Sequence, residues 1–122
     1  MAETEEGRKF EKIALDYLKQ NNLPEAESNF IQALTHMKQS GDEEGQAYVL
    51  GNLGNLCFQS RRLDKAEEYY GKALTYMEKA NDIRGIESSL GNLGSVLFYK
   101  GSLDEAEETY KKALKFLEEA ND

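Results

Sequence analysis

The sequence predicts an all-α fold of six antiparallel helices, arranged as three tandem helix–turn–helix units. Three observations lead there. When the chain is laid on itself with a shift of 40, residues 50–82 and 90–122 are identical at 19 of 33 positions, which marks a repeat array. The composition is rich in Ala, Leu, Glu and Lys and holds a single Pro and no Trp, a mixture whose intrinsic preference is helical. Apolar residues recur at helical spacing, and the runs are interrupted at regular intervals by Gly, Asn and Asp.

The matched blocks are LGNLG at 50–54 and 90–94, LD-AEE at 63–68 and 103–108, KAL at 72–74 and 112–114, and AND at 80–82 and 120–122. A fainter copy precedes them: Leu23, Glu25, Ala26, Glu27, Phe30, Ala33 and Leu34 stand 40 residues before Leu63, Lys65, Ala66, Glu67, Tyr70, Ala73 and Leu74. The chain is therefore expected to form one array over residues 1–122, with units at about 7–46, 47–86 and 87–122.

The first helix is expected near 5–20 and ends at Asn21-Asn22. The second, near 24–39, begins with Pro24 in its first turn, where the missing N–H costs little. The third is placed near 43–59, after Ser40-Gly41-Asp42, where a helix-stopping glycine is followed by an Asp able to cap the next helix. Within it Ala47, Leu50, Leu53, Gly54 and Cys57 fall on one stripe. The fourth, near 64–80, follows the break at Arg61-Arg62 and carries Ala66, Tyr70, Ala73, Leu74 and Met77 at helical spacing. Asn81-Asp82 repeats the stop-and-cap pattern before a fifth helix near 83–100, and Gly101-Ser102 separates it from a sixth near 104–120.

Residue sizes at fixed positions carry a family resemblance. The first helix of each unit shows large, large-small, large: Phe10, Ile13-Ala14 and Tyr17; Leu50, Leu53-Gly54 and Cys57; Leu90, Leu93-Gly94 and Leu97. The second shows small, large, small: Ala26, Phe30, Ala33; Ala66, Tyr70, Ala73; Ala106, Tyr110, Ala113. Small residues let two helices approach and large ones fill the gaps between them. In this the chain resembles the tetratricopeptide repeat over nearly its whole length. The resemblance implies a right-handed α-solenoid whose concave face is lined by the first helix of each unit, and a role in binding proteins.

Two departures qualify it. The proline that usually closes a unit is replaced by Lys38, Glu78 and Glu118, and the period is 40 rather than the family's about 34. With LGNLGN at Leu50–Asn55 and the stretch Gly41–Ala47, the longer period resembles Pins/LGN-type scaffold repeats. Secondly, no C-terminal capping helix follows the third unit. Leu103, Tyr110, Leu114 and Leu117 on the last helix are then expected to stay exposed. A fragment of a longer array, a minimal engineered array, and end-to-end stacking into a homo-oligomer each account for this.

Composition narrows the function. The formal charge is −8 with 23 acidic and 15 basic side chains, and no basic stripe exists to neutralise phosphates, so nucleic acid and anionic membrane are not expected partners. A basic peptide would suit the charge, although an acidic surface also serves solubility alone. The polar, acidic N-terminus is unlike a secretory or transit peptide. The lone Cys57 cannot form an internal disulfide, and a cytoplasmic setting is expected.

By the resemblance, the concave face presents Glu11, Lys12, Leu15, Leu18 and Lys19; Tyr48, Gly51, Asn52, Asn55, Phe58 and Gln59; Ser88, Gly91, Asn92, Ser95, Phe98 and Tyr99. Among these, Tyr48, Asn52, Asn55, Gln59, Asn92, Ser95 and Tyr99 are the candidate peptide-binding residues. Asn52 and Asn92 are equivalent across units, and a carboxamide can pair with a peptide N–H and C=O together. Gly51 and Gly91 beside them remove the side chain that would hold a ligand backbone away, at a helix cost of about 0.5–1 kcal/mol each. Repeat duplication and easier helix packing also account for these glycines. The family's chaperone-tail carboxylate clamp needs cations on the first helices. Here Glu11, Leu15, Ser88 and Asn92 occupy those positions and only Asn52 fits, so no such binding is expected. Catalysis, a cofactor and a bound metal are not expected either. His36 aligns with Tyr76 and Phe116 as a packing residue, Cys57 aligns with Leu97 as core, and the GNLG stretch lies inside a helix rather than in a phosphate loop.

Overall fold

The computed structural model describes residues 2–121, with side chains from Glu5 onward. Six helices follow one another: α1 (Ala2–Lys19), α2 (Leu23–Ser40), α3 (Glu43–Gln59), α4 (Leu63–Lys79), α5 (Ile83–Lys100) and α6 (Leu103–Asn121). The expected bounds hold to within one residue except at the first start. There α1 begins earlier, because Ala and acidic residues favour helix and sit well near the positive end of its dipole.

The five connections are one device used five times. Asn21, Gly41, Arg61, Asn81 and Gly101 all have left-handed backbone, with φ between 53° and 88°, and they stand 20 residues apart. Each turn carries the same pair of hydrogen bonds back into the helix it ends. In the third, the N–H of Arg62 donates to the carbonyl of Cys57 at 2.8 Å and that of Arg61 to Phe58 at 3.1 Å. The residue after the left-handed one already begins the next helix: the carbonyls of Asn22, Asp42, Arg62, Asp82 and Ser102 accept from the N–H four residues on. Where that residue is Asp its side chain also caps. Asp42 accepts from Gly45 N–H at 2.9 Å and Asp82 from Gly85 N–H at 3.1 Å. The caps read from the sequence are thus present.

Helices pack chiefly on their neighbours in the chain, forming the hairpins α1/α2, α3/α4 and α5/α6, with α2 against α3 and α4 against α5 at the junctions. Inside the second and third hairpins the close contact is tyrosine on glycine, where the first has Phe30 and Ala14. A Cβ added at Gly54 would lie 2.6 Å from the Tyr70 ring, and one at Gly94 would lie 2.7 Å from the Tyr110 ring. The core runs from Ala14, Phe30, Met37, Val49, Leu53 and Leu56 in the first two units to Ile86, Leu90 and Ala113 in the third. Buried Gln46 reaches across the first junction, its Nε2 donating to Met37 O at 3.4 Å and to Asp42 O at 3.1 Å, while its Oε1 accepts from Tyr76 Oη–H of α4 at 2.8 Å. Ion pairs cross both junctions. The Arg62 guanidinium meets Glu27 with two bonds of 3.0 Å, and Lys100 lies 2.7 Å from both Asp64 and Glu67.

Arg61 is the one connector that is neither Gly nor Asn, and a side chain in left-handed backbone is disfavoured. Arg61→Gly should raise stability by about 0.5–1 kcal/mol, or Tm by about 2–5 °C in a thermal melt. Burial pushes the Tyr70 phenol up to about 12. Below the ordinary tyrosine value near 10 the phenol is neutral folded or unfolded, whereas above it only the unfolded chain ionises. Stability measured by urea unfolding should therefore fall as pH rises from about 10 towards 12, and Tyr70→Phe should flatten that part of the fall.

Candidate functional site

The hairpin turns set α1, α3 and α5 side by side along one face, and four depressions run across it. Between α1 and α3 lies one of about 240 Å³, lined by Arg8, Glu11, Met37, Glu44, Gly45 and Tyr48. Between α3 and α5 a second of about 300 Å³ is floored by Ala47, Ala73 and Met77, with Gly51, Asn52, Asn55, Ser88 and Asn92 at its sides. It continues into a third of about 500 Å³ lined by Asn55, Phe58, Gln59, Arg61, Tyr70, Asn92 and Tyr99. A fourth, of about 520 Å³, opens where α3 and α5 begin and α4 ends, among Glu43, Glu44, Tyr76, Met77 and Asp82. Tyr48 borders three of the four and is 60 % exposed, so an amphipathic ring stands at the centre of the face.

The glycines separate into two kinds. A Cβ at Gly51 or Gly91 would meet nothing within 4 Å, in contrast to Gly54 and Gly94 beneath their tyrosine rings. Packing therefore does not require Gly51 or Gly91, and of the explanations offered by the sequence, easier helix packing is removed. Asn52 Nδ2 donates to the carbonyl of Tyr48 at 3.2 Å, which fixes the carboxamide on the helix and engages one of its donors. Asn92 borders both depressions between α3 and α5.

Asn55 and Ser95 have a structural engagement that the sequence reading did not give them. The Tyr70 hydroxyl donates to Asn55 Oδ1, and at the equivalent place Ser95 Oγ and Tyr110 Oη are 2.9 Å apart. Each polar residue thus steadies the tyrosine that sits on the glycine one residue before it. At the far edge Tyr99 packs edge-on against Phe58 and Phe98, with ring centroids 5.5 Å apart in both pairs. Arg8 and Arg61 line the face and were missed in the sequence. Arg8 stands 40 residues before Tyr48 and 80 before Ser88, so the repeat register itself points to it, whereas Arg61 lies in a turn outside the concave positions. Burial pushes the Glu11 carboxyl above its ordinary value, with Arg8 opposing and Asp42 adding to the rise.

The remaining candidates fall away from this face. His36 stacks on Phe10 at 5.4 Å. Cys57 is fully buried and burial raises its thiol, which keeps it protonated. Among the described residues no cluster of His, Cys, Asp or Glu has the arrangement of a metal site, and no helix is long and apolar enough to cross a membrane. Leu103, Tyr110, Leu114 and Leu117 are exposed on α6, and of these Tyr110 reaches Ser95 on α5.

Comparison with known proteins gives a consistent picture. A family model described as tetratricopeptide repeat matches residues 5–79, and a second with the same description matches residues 87–116. The fold is similar to that of the TPR domain of Arabidopsis FLU, at 19 % identity and TM-score 0.87, covering 95 % of this chain and 98 % of that one. It is also similar to BtubC (BKLC) from P. vanneervenii at 22 % identity and TM-score 0.87, covering 94 % of this chain and 48 % of that one. The N-terminal domain of the stress-induced protein STI-1 from C. elegans matches at 14 % identity and TM-score 0.84, covering 95 % of this chain and 87 % of that one. The chain thus spans about half the length of BtubC. No sequence among curated proteins matches it.

The two kinds of glycine give opposite expectations. Gly51→Ala and Gly91→Ala should each stabilise by about 0.5–1 kcal/mol through helix propensity, while Gly54→Ala should destabilise by about 1–3 kcal/mol by displacing a packed ring. Chemical denaturation of the three variants checks the signs.

Proposed function

We propose, from the premise that the chain belongs to the tetratricopeptide repeat family, that it is an adaptor module which takes an extended peptide segment of a partner along α3 and α5. Repeats of this family generally mediate protein–protein interaction and are generally non-catalytic. The observation that carries the reading is the bare strip at Gly51 and Gly91. Glycine there is a helix liability that packing does not explain, and it leaves room for a peptide backbone within reach of Asn52 and Asn92. Tyr48 and the Ala47–Met77 floor offer an apolar seat, and the aromatic group of Phe58, Phe98 and Tyr99 a second. Large amphipathic rings in such positions tend to dominate binding energy.

The net charge of −8, with Glu44 and Asp82 beside the Glu43–Lys79 ion pair around one depression, favours a segment with basic residues flanking its apolar anchor. The 40-residue period and the LGNLGN block support a scaffold of the Pins/LGN type. They also support reading residues 1–122 as a single array, and the lone Cys57, which cannot pair within the chain, suits a cytoplasmic setting.

An affinity capture comparing the wild-type chain, Asn52→Ala/Asn92→Ala and Gly51→Ala/Gly91→Ala tests the reading. A partner held by the first should be lost by both variants, the glycine variant losing it while gaining stability. Retention of every partner by both double variants would remove the groove as the binding site.

A further inference from the structure

One connector breaks the rule that the other four keep. Asn21, Gly41, Asn81 and Gly101 are residues that tolerate left-handed backbone, whereas Arg61 holds it at φ 66° with a side chain that disfavours it. Its neighbour Arg62 is taken up by Glu27 in two bonds of 3.0 Å. Arg61 has no such acid: among the described residues its side chain makes neither an ion pair nor a hydrogen bond. It lines the depression of about 500 Å³ where α3 and α5 end, beside Asn55, Phe58, Gln59, Asn92 and Tyr99. Of the four depressions on the inner face, this one alone has a cation and, among the described residues, no carboxylate in its lining. A charged side chain kept in unfavourable backbone, and left uncommitted at a binding face, has its use at that face rather than in the turn.

The groups around Arg61 are donors. A guanidinium offers N–H groups only, and two of them match the oxygens of one carboxylate. Asn55 Oδ1 already accepts from the Tyr70 hydroxyl, so its Nδ2 is the group it offers a ligand. Gln59 and Asn92 bring carboxamides of their own to the same depression. Phe58 and Tyr99, packed edge to face, wall it and keep away part of the water that would screen a charge. One cation in a chain of net charge −8 suits a single carboxylate better than a phosphate, whose second charge would find no partner there.

We propose that Arg61 is the residue by which the groove selects its segment, and that it binds the side-chain carboxylate of an Asp or Glu of that segment. Given a peptide groove along α3 and α5, the reading on which this rests, the two ends of that groove set a register. Glu44 and Asp82 border the depression where these helices begin, and Arg61 stands where α3 ends. The 17 residues of α3 rise about 25 Å, a span that an extended segment covers in about seven residues. The segment therefore carries its acidic residue about seven positions from its basic one, with the apolar anchor between them over Tyr48 and the bare glycines.

Random dodecapeptides displayed on phage, joined to the coat protein at their C-termini, are selected on the immobilised chain and on Gly51→Ala/Gly91→Ala, Arg61→Gly and Arg61→Glu. Peptides held by the wild type and lost by the glycine pair should carry Asp or Glu about seven residues from Lys or Arg. In calorimetry a synthetic, C-terminally amidated copy of such a peptide should bind Arg61→Gly roughly tenfold more weakly, although that variant melts higher. Arg61→Glu should weaken it further, and a peptide with Lys in place of its acid should bind Arg61→Glu better than the wild type. A residue that served the turn alone would not produce that reversal. Groove-dependent peptides that bind both Arg61 variants as tightly as the wild type would overturn the role of Arg61 and leave the groove standing. So would affinity present only in a copy with a free C-terminal carboxylate, since the acid bound would then not be a side chain. If no selected peptide depends on Gly51 and Gly91, the groove falls, and this role of Arg61 with it.

Discussion

The structure depends on a backbone constraint that recurs every 20 residues. One residue in left-handed backbone folds the last carbonyls of a helix back onto the turn, and the next residue starts another helix. With no slack between helices, successive helices are forced antiparallel and side by side. Because the five turns share one geometry, each hairpin repeats the last with little variation, and helices of 17 to 19 residues result. Everything on the inner face follows from that register. It places Asn52 and Asn92, and Gly51 and Gly91, at the same height on neighbouring helices.

Within that frame glycine does two separate jobs one turn apart. Gly54 and Gly94 are spaces that a tyrosine fills, and the hydroxyl of each tyrosine is then held by Asn55 or Ser95 from the same helix. Gly51 and Gly91 are spaces that nothing fills. Residue type cannot separate the two jobs, because the distinction lies in what faces each Cα from the neighbouring helix.

That contrast also marks how much the sequence disclosed. The helices, their turns and the Asp caps were legible because propensity, period and capping act locally, and the repeat supplied three readings of each feature. The inner face was legible as a set of positions through the family resemblance. The commitments of individual side chains were not. Asn55 reads as a free carboxamide until Tyr70 is seen to reach it from a helix beginning eight residues later, and Lys100 reads as a solvated last-turn cation until Asp64 and Glu67 are set beneath it. Arg61 was legible as a break but not as a left-handed one, since arginine has no preference for that conformation. Arg8 stands on the inner face because it is the repeat equivalent of Tyr48 and Ser88, a correspondence that the fainter first copy obscures.

The uneven burial of the two equivalent tyrosines has a consequence for motion. Tyr70 has a helix on either side and Tyr110 on one only, so among the described helices α6, like α1, is held chiefly from one side and is less constrained than α4. The depressions between α3 and α5 have one wall on the last hairpin. A ligand bridging the two helices must therefore hold α5 still and meet that ordering cost on binding. The groove is in this way only as rigid as the hairpin that forms its far wall.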